Sequence, residues 1–247
     1  MLSGVWYDRV LAVPAIGVRF LPDVGRLSKR VEQLAPLWAV LEQQGPLNMA
    51  WPNPASIEGR VGGWRYSLTP NELVVQFSYD VIATTGRGRL PEFNSLEIQP
   101  YSELLQETVT RASEALGYLM ADDGTLAVVR IGTVFTASLR LSEPPPGIDQ
   151  LIAHLGAPWA KAGGLQKCGG ELLMALSESD TYHDRCFHNL TFDRIVDNEN
   201  LDLKLDWQRY YKQPWNHTHR STMLTIQEIV ELARSYFERV GEGSYAV

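Results

Sequence analysis

Two stretches of the 247-residue chain carry the same series of elements. Residues 14–119 read as a strand, a long helix, a β-hairpin and a second helix, and residues 125–240 read as a similar series. A repeated strand–helix–hairpin–helix unit restricts the fold more than any single motif does. It predicts an α+β protein with mainly antiparallel sheets. Its two halves, 1–142 and 143–247, would pack as one compact unit. Two sheets are expected to face one another across a pseudo-dyad and to enclose a groove. The repetition lies in element order, and no letter-for-letter repeat stands out between the halves.

The local patterns carry this reading. In residues 14–21, Ile16, Val18 and Phe20 alternate with Ala15, Gly17 and Arg19, which predicts a strand with one apolar face. Leu27, Val31, Leu34, Trp38 and Leu41 recur at helical spacing, with Pro36 forcing a kink or a restart. The proline-rich stretch 45–59 shows no clean period and predicts a long irregular connection, a place to look for function. Trp64, Tyr66 and Leu68, then Val75, Phe77 and Tyr79, form the two arms of a hairpin around the turn Thr69–Glu72. Pro100 opens a helix with Tyr101, Leu104, Leu105, Val109, Ala112, Leu116 and Leu119 on one side.

In the second series, residues 125–141 predict a long strand, with Gly132 a plausible bulge. Further strands are predicted at about 171–178 and 185–196 and over Leu201–Gln208. The final helix is expected to start at a capping box, Thr225-x-x-Glu228, and to end at Gly241. This element order is that of a pseudo-duplicated, ferredoxin-like strand–helix–strand–strand architecture.

Composition narrows the function classes. Hydrophobic content of 45% and charged content of 21% are those of a soluble globular chain. No apolar stretch reaches the roughly 20 residues of a membrane helix, and the first residues lack a signal-peptide pattern, so a cytoplasmic protein without membrane association is expected. Two cysteines, Cys168 and Cys186, are too few for a disulfide framework. With 22 Lys+Arg against 29 Asp+Glu, net charge is −7, which disfavours nucleic acid and suits a basic protein partner or a small ligand. A homo-oligomer is compatible with the chain.

Several segments resemble an uncharacterised, sporadically distributed bacterial family of about this length. The opening strand Pro14–Phe20, the hairpin Trp64-Arg-Tyr-Ser67 leading to Val74-Val-Gln-Phe77, the strand motif Arg130-Ile-Gly132 and the terminal Tyr236-Phe-Glu238 carry the resemblance. It implies a soluble bacterial protein, often from mobile or defence-type neighbourhoods, and transfers no activity and no catalytic residue.

Four residues suggest a metal. Cys186 and His188 would share one face of a strand, and so would His217 and His219. Together they have the donor types of a tetrahedral zinc site, though not the spacing of a standard finger. The alternative function on this reading is a metal-dependent hydrolase. The plainer reading is a core cysteine, a half-buried His188, and His217 and His219 solvated in the loop before the last helix. Cys186 with a neighbouring histidine would also make a thiolate pair, but no oxyanion donors are evident beside it.

Arg130 lies in a strand that should be central, where a buried arginine must be paired or must face a ligand. Asp80 and Asp193 are candidate partners. The sharper reading is an anion-binding arginine on the floor of a groove, joined by Arg19 and Arg140 if their strands are neighbours. Trp64, Tyr66, Phe77 and Tyr79 either pack the core or line a ligand cavity. The glycines Gly163, Gly164, Gly169 and Gly170 match no phosphate loop, and no hydrolase, zincin or dinucleotide motif occurs. Lacking a convergent acid, base and nucleophile, the chain reads as a non-catalytic binding or interaction protein, in a defence or toxin-neutralising setting and without a cofactor.

Overall fold

The computed structural model describes residues 6–21, 27–79, 83–84, 92–93, 98–122, 124–140, 144–151, 153–154, 169–177, 182–193 and 200–244. A 3-10 turn (Trp6–Arg9) leads into β1 (Leu11–Phe20). Helices α1 (Leu27–Gln33) and α2 (Ala35–Gln44) follow, and the restart falls at Pro36, which occupies the first turn of α2, where a missing N–H costs nothing. Strands β2 (Asn48–Asn53), β3 (Ser56–Val61), β4 (Trp64–Thr69) and β5 (Glu72–Phe77) form a meander. The two-residue strands β6 (Ala83–Thr84) and β7 (Glu92–Phe93) pair only with each other. Helix α3 (Tyr101–Met120) precedes β8 (Thr125–Arg140), then come β9 (Gly169–Ser177), β10 (Tyr182–Asp193), β11 (Asn200–Thr218) and α4 (His219–Glu242).

The main sheet has nine strands in the order β2-β3-β4-β5-β1-β8-β11-β10-β9, and every neighbouring pair is antiparallel. This corrects the expectation of two facing sheets. The two series, 14–119 and 125–240, join edge to edge through β1 and β8, because both strands are apolar enough to be central and each leaves one edge for the other. Outward from β1 the order is β5, β4, β3, β2, and outward from β8 it is β11, β10, β9. In each direction the first strand of the series pairs with the last strand of the meander that follows it.

The register exposes a correspondence that element order alone hides. Gly17 of β1 is paired directly with Gly132 of β8. Around them stand Val13-x-x-Ile16-Gly17-x-x-Phe20 and Val128-x-x-Ile131-Gly132-x-x-Phe135, identical at four positions. The irregularity expected at Gly132 falls instead at Val129, three residues before it, where Arg19 pairs with Arg130 but Phe20 pairs with Val128.

Period-two alternation divides the sheet into two faces. Ile16, Val18, Phe20, Tyr66, Leu68, Val75, Ile131, Phe135, Leu203 and Leu205 are buried together with the inner sides of α2, α3 and α4 in one core. Helix α3 lies over β1 and β5, and α4 over β8 and β11. Phe135 is the hub, with ring centroids of Trp6 (5.4 Å), Tyr101 (4.8 Å) and Phe237 (5.4 Å) around it. The opposite face carries Arg65, Gln76, Glu72, Arg19, Arg130, Gln208, Asp206 and Lys204 at the alternate positions, and we refer to it as the open face.

Three further expectations are corrected. The stretch 45–59 is a hairpin, β2 and β3, not an irregular connection. Every residue of β2 is exposed, so an edge strand with no buried side shows no hydrophobic period, and Pro52 is tolerated there. Helix α4 starts two turns before the Thr225–Glu228 box: Thr218 caps it, accepting the Ser221 N–H at 3.2 Å, and His217 lies in β11 rather than in a loop. The helix ends at Gly243, whose φ of 75° gives the left-handed cap, whereas Gly241 sits inside the last turn against Trp6. No helix among the described residues is long and apolar enough to cross a membrane.

Candidate functional site on the open sheet face

The centre of the open face is built on the β1–β8 junction. Arg19 and Arg130 are direct cross-strand partners, an arrangement that repels unless an anion intervenes. Glu72 supplies it: its register on β5 places it beside Arg19, with one carboxylate oxygen 2.9 Å from the Arg19 guanidinium and the other on Arg130. Gly17 has no side chain to block this reach across β1, and the space its Cβ would take lies 3.8 Å from a Glu72 oxygen. Gln208 lies over Gly132, where a Cβ would meet its Cγ at 3.0 Å. Gly17 and Gly132 thus form a floor without side chains under a polar network.

The network continues from strand to strand. Arg130 donates to the Gln208 side-chain oxygen at 3.1 Å, the Tyr210 hydroxyl donates to that same oxygen, and the Gln208 amide donates to Asp206 Oδ2 at 2.6 Å. Glu72, Arg130, Gln208 and Asp206 therefore form one chain of contacts spanning β5 to β11. His183 stacks on the Tyr210 ring at 5.5 Å, and the Arg185 guanidinium lies 4.8 Å from its centroid. Beside Asp206 the face opens into a hollow of about 250 Å³. Phe187 and Asn189 of β10 wall one side, Lys204, Asp206 and Gln208 of β11 the other, and Arg130 and Tyr210 close the end. Burial pushes the Asp206 carboxyl above its usual range, against the lowering effect of the Gln208 hydrogen bond and of the Lys204 and Arg130 charges.

Arg130 and Arg19 are thus brought together, and the carboxylate they share is Glu72. Asp80 and the side chains of Arg140 and Asp193 lie outside what the structure describes, as do Cys168, Gly163 and Gly164. Trp64, Tyr66 and Phe77 occupy core positions under α3. Arg111 of α3 lies 4.6 Å over the Trp64 ring and donates to the Tyr66 hydroxyl at 3.1 Å. Tyr79 stands at the edge of this group, its ring 5.0 Å from Phe77 and its hydroxyl bonded to the Gln99 backbone.

The Cys/His residues are spread along the sheet. Cys186 is paired with Trp207, which in turn faces Thr133 of β8, whereas His217 faces Leu126. At roughly 3.3 Å per residue this separates Cys186 from His217 by about 20 Å. His219 begins α4 and bonds Ser113 of α3, Nε2 to the carbonyl at 2.9 Å. His217 is buried beside Ser221, and burial lowers its pKa. His188 is paired with Leu205, and its side chain lies outside the description. Among the described residues no three His, Cys, Asp or Glu side chains stand where one ion could join them.

Cys186 is a poor nucleophile here. It is buried against the core, and desolvation, reinforced by the Asp206 charge, pushes its thiol up to about 12. Iodoacetamide at pH 8 is expected to leave the Cys186 peptide unlabelled in the native protein and to label it fully in urea. Peptide mapping by mass spectrometry checks this, and rapid native labelling would restore the thiolate reading.

Sequence reasoning found Arg130 and Arg19 but missed Glu72, Gln208, Tyr210 and Asp206. The signal was present in the polar alternates Asp202, Lys204, Asp206 and Gln208 of β11. A solvated face and a ligand-facing one show the same alternation, so only the strand order separates them. No protein-family model matches the chain, and none of the curated proteins is significantly similar to it.

Proposed function

We propose that the protein is a non-catalytic binding protein that holds a small ligand or a protein partner on the open face of its sheet. The observation that carries this reading is the hollow beside Asp206, set at the end of a polar chain that runs from Glu72 through Arg130 and Gln208. Such a chain fixes side chains in place before anything arrives, which lowers the entropic cost of binding. Among the described residues helices cover the other face, which leaves this one as the broad surface for recognition. A toxin-neutralising or defence role, the setting of the family the chain resembles, is one form this function takes.

The same reading includes a tandem duplication of a β-strand, helix, meander and helix unit, with the pseudo-dyad passing between Gly17 and Gly132. The matching outward strand order and the shared Val-x-x-Ile-Gly-x-x-Phe signature support it. The open face then combines surfaces from both repeated units at their junction, where concave sites commonly form. The competing reading, a metal-dependent hydrolase on Cys186, His188, His217 and His219, draws no support from the strand register.

Native mass spectrometry of the untagged chain, purified gently from its expression host, tests the proposal. Extra mass, from a small molecule or a second polypeptide, is expected on the wild type and is expected to vanish with Phe187→Asp, which places a charge in the wall of the hollow. Bare monomer under every condition of growth and ionic strength would overturn it.

A further inference from the structure

We propose that the hollow beside Asp206 binds a small zwitterion, an ammonium group next to a carboxylate as in a free α-amino acid. This rests on the open face being a binding face and specifies what it takes. Asp206 is only 8% exposed. Its Oδ2 accepts from Gln208, but its Oδ1 accepts no hydrogen bond and is closed to solvent. A buried carboxylate oxygen without a donor is costly, and a ligand N–H in the hollow removes the cost once a turn about the soft Cβ–Cγ torsion of Asp206 brings that oxygen to it. Two positions back on the same face, Lys204 is exposed and makes no hydrogen bond or ion pair with any described residue. Its ammonium can swing aside to admit a ligand and then hold an anionic group. Phe187, paired directly with Asp206, and Asn189, paired with Lys204, supply an apolar wall and an amide.

Elimination fixes the ligand class. A simple anion would be drawn to Lys204 and repelled by Asp206. A simple cation would be drawn to Asp206 and repelled by Lys204 and Arg130. A wholly apolar molecule would leave Oδ1 without a donor in a drier site. A neutral molecule with an N–H donor would answer Oδ1 and leave the Lys204 charge without an anion, whereas a molecule carrying both signs close together answers both, and a hollow of about 250 Å³ has room for one small molecule of this kind. Arg130 does not need the ligand, because Glu72 and Gln208 already hold it.

Binding should be linked to protons. The groups facing Asp206 are Lys204 and Tyr210 on its own strand, Arg130 from β8, Glu72 from β5, and Arg185 and His183 through Tyr210 from β10. Cys186 approaches from the covered side. An arriving ammonium favours the charged carboxylate, so it returns the raised Asp206 pKa toward its usual range. Affinity should therefore rise with pH through that raised pKa and level off above it, with proton release on binding below the plateau.

Isothermal titration calorimetry of the full chain against each standard amino acid tests the assignment. The strongest binder is then compared with its decarboxylated amine and its deaminated acid. At least one amino acid is expected to bind, and removing either charge from it should weaken binding about ten- to hundredfold. Asp206→Asn, nearly isosteric, should lose the preference over the deaminated acid and the pH dependence together, and Lys204→Ala should lose the preference over the amine. Melting curves verify that both variants fold. If no amino acid binds, or if Asp206→Asn leaves affinity and pH dependence intact, the zwitterion assignment is wrong. The wider binding reading would still stand if native mass spectra show something else displaced by Phe187→Asp, and it falls with this one if those spectra show only the bare chain.

Discussion

Replacing Arg209 with methionine is expected to lower the melting temperature by about 6–20 °C. Arg209 lies on the covered side of β11, where the pattern Leu201, Leu203, Leu205 and Trp207 calls for an apolar residue, and its side chain is 4% exposed. It is held by Asp184 of β10 at 2.8 and 3.0 Å and by Glu228 of α4 at 2.8 and 3.3 Å, with the Tyr182 ring 4.0 Å from its guanidinium carbon. One side chain thus ties two strands to the terminal helix. Glu228 is largely exposed and stays hydrated without its partner, but Asp184 would be left nearly buried with Trp207 Nε1 as its one remaining side-chain donor among the described residues. Breaking a buried pair from one side costs about 3–5 kcal/mol, and in a chain of this size each kcal/mol moves the midpoint by about 2–4 °C. The double variant Arg209→Met with Asp184→Leu should recover most of the loss, since it strands no charge. A single variant that melts within 2 °C of wild type would show that the cluster does not hold α4 to the sheet. Scanning calorimetry gives both values.

Phe135→Ala is expected to cost about 3–5 kcal/mol, again a fall of about 6–20 °C. The ring is fully buried, and its neighbours come from distant parts of the chain: Trp6 and Tyr7 from the opening 3-10 turn, Tyr101 from the start of α3 and Phe237 from the end of α4. These aromatic walls are anchored elsewhere. Trp6 Nε1 donates to the Phe237 carbonyl at 2.9 Å, and the Tyr7 hydroxyl donates to Glu238 at 2.9 Å. They cannot collapse freely into the vacated space, so the cost should fall at the upper end of the range for such truncations. In urea the midpoint should drop while the slope of the transition stays unchanged. An equal loss with a shallower slope would mean that the protein no longer unfolds in one step.

How much of this was legible in the sequence depended on burial. Strands with one buried side, such as β1, β4, β5 and β8, showed clear alternation. So did the apolar stripe of α3. Strand β2 showed nothing because none of its residues is buried. The capping box at Thr225 was a true local pattern overridden by a better one: Thr218 already caps the helix, and Thr225 bonds back to the Ser221 carbonyl at 3.0 Å within it. Arg130 stood out because a charge in a central strand demands a partner. Which partner it takes depends on β5 lying beside β1 and on Gly17 leaving a gap, and neither is visible without the strand order. The same holds for the Val-x-x-Ile-Gly-x-x-Phe signature, which is too short to notice until Gly17 and Gly132 are found side by side.

The β1–β8 junction also sets how the chain must assemble. During synthesis β1 emerges first, yet one of its neighbours is β5, and the other, β8, follows only after α3. Until then an apolar strand in the middle of the future sheet has a free edge, open to pairing with any other chain. β8 in turn waits for β11 on its far side. Pairings so remote in sequence place the protein among slow folders, and a crowded or overheated cell would trap it most readily while that seam is still unzipped.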